Sequence, residues 1–250
     1  MTNSLHASNF KRIHIGIKSD FLVTIIMPVI FVILIILAGV QLSTAGLDPN
    51  SDTISLKTLE EYGGLPIRLI YVCFIVKYAL KALCALITIS GLGETEAESR
   101  KLHISKLILC AVLLANAALM LIQIINVTWN GDGESPLELT SLITRTVILS
   151  LHFPAIHFLL SGYLEIMNKI GADGQDKATK LIRSVDISFF LMIGAYLFTI
   201  ILTIFDVKAF PALVLMVIYL ITALIIYLIM QIRFLKFTKK MIRNVEEISG

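Results

Sequence analysis

Apolar residues run along this chain in long blocks separated by short polar stretches. Six blocks are about 20 residues long or more: 21–42, 66–90, 104–127, 137–163, 187–205 and 209–232. A helix rising 1.5 Å per residue needs about 20 apolar residues to cross the hydrocarbon of a bilayer. Helix breakers fall between the blocks: Gly46 with Pro49, Gly63-Gly64, Gly91 with Gly93, Gly131 with Gly133, and Gly171 with Gly174. The pattern predicts an all-α, polytopic membrane protein with six transmembrane helices and no soluble domain.

Composition agrees. Hydrophobic residues make up 57% of the chain and charged residues 16%, whereas a soluble domain carries about a quarter charged residues. The net charge of +3 is too small to point to nucleic acid. The first block is longer than a signal-peptide core and reads as a retained helix.

The basic residues are sorted by segment. Fifteen Lys and Arg lie in the N-terminal arm, the second and fourth loops and the C-terminal tail, against only Lys57 and Lys208 in the other loops. The other loops are acidic (Asp48, Asp52, Glu60, Glu61, Asp132, Glu134, Glu138). By the positive-inside rule both termini are cytoplasmic. The chain divides into a basic amphipathic arm over 1–20, a six-helix bundle over 21–232 and a basic helical tail over 233–250. In the tail, Phe234, Phe237, Met241 and Val245 recur at helical spacing. The arm alternates basic and apolar residues and suits anionic lipids at the cytoplasmic face. The expected location is a plasma membrane or a bacterial inner membrane.

The chemistry-bearing residues inside the spans are cationic or protonatable: Lys77, Lys81, Arg145, His152 and His157. The acids fall in loops or at predicted helix ends, so no carboxylate is expected at the depth of the two lysines. A cation in hydrocarbon costs several kcal/mol unless something receives it. Lys77 and Lys81 are four apart and share a helix face. Arg145 and His152 are seven apart and share another, with Arg145 nearer the outer end. These five residues are the candidate ligand-binding set. Pro154, between the two histidines, removes a backbone donor and predicts a kink. Asn116 and Gln123 share a face of the third helix and suit inter-helix hydrogen bonds.

Other chemistries find little support. Cys73, Cys84 and Cys110 are isolated in apolar stretches, without metal or disulfide spacing. No histidine pair matches in depth across two helices, as a haem would require, and no carboxylate joins His152 and His157 to hold a metal. No cofactor and no catalytic residues are expected. Phe153-x-x-x-His157 resembles one motif of the CAAX-processing intramembrane proteases. That family also requires two glutamates followed four residues later by arginine, and here Glu60-Glu61 is followed by Leu65. In size, basic amphipathic start, Pro28 in the first helix and a charged second loop, the chain resembles the permease domains of ATP-binding-cassette exporters. Asp206-Val207-Lys208 leaves no room for the re-entrant segment those permeases carry, and no membership follows.

The expected function is that of a transporter or permease-like component that binds or moves an anionic or lipid-like ligand. Lys77, Lys81 and His152 would line its site, with Arg145 at the outer mouth. The alternative is a non-catalytic membrane subunit of a larger complex, whose intramembrane cations pair with acids of protein partners.

Overall fold

The computed structural model describes the backbone of residues 6–44, 56–128, 138–204 and 210–249. Side chains over 56–68, 126–128, 138–139 and 195–213, and single ones elsewhere, lie outside the description, and with them the acidic residues of the first and third loops, Lys57, Asp206 and Lys208. The described elements are α1 (Ala7–Thr44), α2 (Leu56–Thr95), a short 3₁₀ turn (Glu96–Glu98), α3 (Arg100–Thr128), α4 (Glu138–Lys169), α5 (Gln175–Ile204) and α6 (Phe210–Ser249). No strand occurs among the described residues.

Five of these helices are long and apolar enough to cross a membrane, and the chain is a multi-pass membrane protein. The remaining predicted span, 187–205, begins on α5 and ends outside the described side chains. Large apolar side chains are exposed over 22–40 on α1, 69–86 on α2, 107–125 on α3 and 214–232 on α6. At 1.5 Å per residue each stretch is about 26 Å long, close to the hydrocarbon thickness of about 30 Å. These faces form one lipid-matched apolar band.

Several helices outrun their apolar blocks. α1 begins at Ala7 rather than at Phe21, so most of the segment set apart as a surface arm is the first turns of the same helix. Its apolar positions have protein to bury against: Phe10 and Ile13 are fully buried, and the Phe10 ring lies 5.5 Å from that of Tyr163 on α4. α6 continues to Ser249 for the same reason. Phe234, Phe237, Met241 and Val245 are all buried. The basic segments therefore gather at one end of the bundle, tied by Lys11–Glu246 at 2.7 Å, Lys101–Glu165 at 2.9 Å and a bond of 2.7 Å between His14 and Thr238. The main apolar core sits at this basic end.

Glycines predicted as breakers serve two purposes. Gly63, Gly64, Gly91 and Gly93 lie inside α2 instead of ending it. Gly91 lets α1 approach: a Cβ there would stand 2.7 Å from the Asn9 carbonyl oxygen and 2.8 Å from the Ile13 nitrogen. Such small-residue contacts let membrane helices pack backbone to backbone. Gly171, in contrast, ends α4 as expected. Its φ of 63° is the left-handed value that suits glycine, and the Ala172 amide bonds back to the Met167 carbonyl at 3.0 Å, closing a Schellman cap. α4 passes through Pro154 as one helix.

Candidate functional site

Between the basic-end core and a smaller cluster of Tyr78, Leu119 and Ile122 the helices leave a cavity of about 440 Å³. α1 supplies Asp20 and Thr24, α2 supplies Lys77, Tyr78 and Lys81, and α4 supplies Arg145 and His152. Tyr227 and Gln231 of α6 and Asn116 of α3 complete its polar lining. Most of the wall is aliphatic or aromatic, with Ile148, Leu149, Ile156 and Leu159 among its contributors. Four of the five candidate residues thus meet around one space.

Lys81 overturns one expectation. Its Nζ lies 2.8 Å from Asp20 Oδ1 and donates to Thr24 Oγ1 at 2.5 Å, so a carboxylate of its own chain receives it. Asp20 belongs to a helix already three turns long at that point, antiparallel to α2, and not to a surface arm. Both side chains keep about a fifth of their surface accessible (18% for Lys81, 22% for Asp20). Thr24 in turn bonds its own helix, donating to the Asp20 carbonyl at 2.8 Å.

Lys77 is different. Its Nζ sits 5.8 Å from the Phe31 ring centre and 5.5 Å from that of Tyr78, and among the described residues no carboxylate pairs with it. Aromatic faces attract a cation by about 0.5–2 kcal/mol, less than the several kcal/mol of desolvation at mid-depth. Arg145 stands over Phe74 at 5.8 Å. It joins Lys77 and Tyr78 in the wall of the cavity. Three cations face one carboxylate in this cavity.

His152 lies with Nε2 at 3.5 Å from the Tyr227 hydroxyl, which accepts a bond of 2.9 Å from Gln231 Nε2. His157 does not join the set. Five residues along a helix turn the side chain by about 140°, so His157 leaves the cavity face. Its Nδ1 lies 2.7 Å from Asp186 Oδ1 on α5. Gln123 donates to Ser141 of α4 at 3.2 Å, an inter-helix bond, while Asn116 bonds the Val112 carbonyl at 2.8 Å and lines the cavity.

Asp20, Thr24, Tyr78, Tyr227 and Gln231 were not singled out by sequence. The signal for Asp20 was present: Phe10, Ile13, Ile17, Asp20, Thr24 and Met27 alternate at spacings of three and four, one continuous helix face. Compared with protein-family models, with curated proteins and with solved structures, the chain shows no significant match.

Proposed function

We propose that the central cavity binds an amphiphilic anion, and that the chain works as a transporter or permease-like component for such a ligand. The observation that carries this is Lys77, an ammonium with no carboxylate partner among the described residues, sharing a largely apolar space with Arg145. A carboxylate or phosphate headgroup would neutralise the pair, and the aliphatic walls would take a hydrocarbon tail. The volume falls within the range of about 300–1,000 Å³ usual for small-molecule sites. We also infer six spans with both termini cytoplasmic, since the fifteen basic residues lie in segments that share one end of the bundle.

The alternative of a non-catalytic subunit, its cations held by a partner's acids, has less support, because Lys81 already meets Asp20. A direct test uses full-length protein in neutral detergent. Lysophosphatidic acid is expected to raise its thermal stability, and the neutral-headgroup lysophosphatidylcholine much less. Lys77→Ala should shrink the difference while leaving the chain monodisperse. Equal responses to the two lipids, or an undiminished response in Lys77→Ala, would rule the proposal out.

A further inference from the structure

A second cavity, of about 360 Å³, opens at the basic end between α5 and α6. Its charged lining is entirely cationic: Lys177 and Lys180 from α5, and Arg233, Lys236 and Lys240 from α6. The rest is Leu181, Ser184 and Phe237. Leu181 and Phe237 are buried, so the floor is apolar and fixed by core packing. The spacings of three and four place each set of cations on one face of its helix. Lys240 donates to the Asp173 carbonyl at 2.8 Å. Among the described residues, none of the five makes an ion pair with a carboxylate. Gathering five like charges around one groove costs self-repulsion, and no ion pair among the described residues offsets it.

The position of the groove narrows its occupant. Ser184 and Arg233 lie within one turn of the apolar band, which resumes at Ile187 and Phe190 on α5 and at Ile232 and Ile229 on α6, all exposed. The cations therefore stand where phospholipid headgroups lie, directly above a lipid-facing surface. We propose that this groove binds the headgroup of a membrane phospholipid carrying two or more negative charges, its acyl chains resting against Ile187, Phe190, Ile229 and Ile232. The site is separate from the central cavity and does not depend on the function proposed for it.

The test uses full-length protein in neutral detergent, titrated separately with phosphatidylcholine, phosphatidylglycerol and the two-phosphate lipid cardiolipin, with retained lipid counted by native mass spectrometry. Cardiolipin is expected to be retained most and phosphatidylcholine least. Lys180→Gln combined with Lys236→Gln should weaken cardiolipin binding by about 30-fold. Arg12→Gln combined with Arg100→Gln removes the same charge from the same end and should change it by no more than about twofold. Arg233→Gln alone, expected to weaken binding about fivefold, serves if the double variant does not fold. Equal losses in the two double variants would show general electrostatic attraction and overturn the site. Equal retention of phosphatidylcholine would do the same. Displacement of the lipid by millimolar inorganic phosphate would make this a soluble-anion site and overturn the lipid assignment.

Discussion

The contact between Asp20 and Lys81 makes the most direct prediction about this fold. Among the described residues Asp20 is the only carboxylate paired with the Lys81 ammonium, so Asp20→Asn leaves a cation part-way into the hydrocarbon. Breaking a fully buried pair costs about 3–5 kcal/mol. Both side chains retain about a fifth of their exposure (22% and 18%), so a loss of about 2–3 kcal/mol is expected. Lys81→Met strands the carboxylate and should cost a similar amount. The double variant leaves no charge stranded and should fall within about 1 kcal/mol of the parent. The cycle is measured by denaturant unfolding in detergent, followed by far-ultraviolet circular dichroism. A coupling of about 2 kcal/mol or more marks a true pair. Single losses that simply add, within about 0.5 kcal/mol, would show that the two groups do not interact and would remove the contact that fixes α1 against α2.

Three other outcomes follow from the geometry. Gly91→Ala places a methyl 2.7 Å from the Asn9 carbonyl oxygen, and rigid backbone cannot yield, so unfolding measurements should show a loss of about 1–3 kcal/mol. Gly39→Ala, with nothing within 4 Å of its Cβ, should instead be neutral or gain up to about 1 kcal/mol. Near the α2–α3 junction, burial alone would raise the Glu96 carboxyl, but hydrogen bonds from Lys106 and His103 outweigh it and hold the group below its usual range. Its contribution to stability is complete above the ordinary carboxylate range and disappears as pH falls through the depressed value. Melting temperature should therefore decline on acidification in the parent, with a smaller decline in Glu96→Gln.

Much of the bundle was legible because block length alone distinguishes a spanning helix from a soluble one. Six apolar blocks gave six helices. Their ends were not legible, since apolarity reports contact with lipid while helices continue wherever a face can pack on protein. That is why Phe10 and Ile13 were assigned to a surface arm. The same boundary hid Asp20: it was counted as an acid outside the bilayer, although its three-and-four spacing from Ile17 and Thr24 places it on the inward face of α1. His157 lies five residues from His152, a spacing that carries it to another side of α4, where it meets Asp186. The α5–α6 groove could not be foreseen, because each helix shows its cations at helical spacing but only tertiary packing sets the two rows face to face.

Lys77 and Lys81 are one helical turn apart, yet they should answer substitution in opposite ways. Lys81 holds a partner, so Lys81→Leu leaves Asp20 uncompensated and should destabilise the protein by about 2–3 kcal/mol. Lys77 has aromatic rings and a guanidinium in the same cavity but no acid among the described residues, so its charge is a net cost to the ligand-free protein. The full penalty for lysine at the centre of a spanning helix is about 2.5–3.5 kcal/mol, part of which cavity water and the rings of Phe31 and Tyr78 offset. Lys77→Leu should therefore stabilise the ligand-free protein by about 1–2 kcal/mol, as read by unfolding in detergent, while weakening stabilisation by an added anionic amphiphile. A group that weakens the resting fold and strengthens the complex is what a binding site requires. If Lys77→Leu destabilises the empty protein as much as Lys81→Leu does, Lys77 has a structural partner, and the case for a ligand in that cavity fails with it.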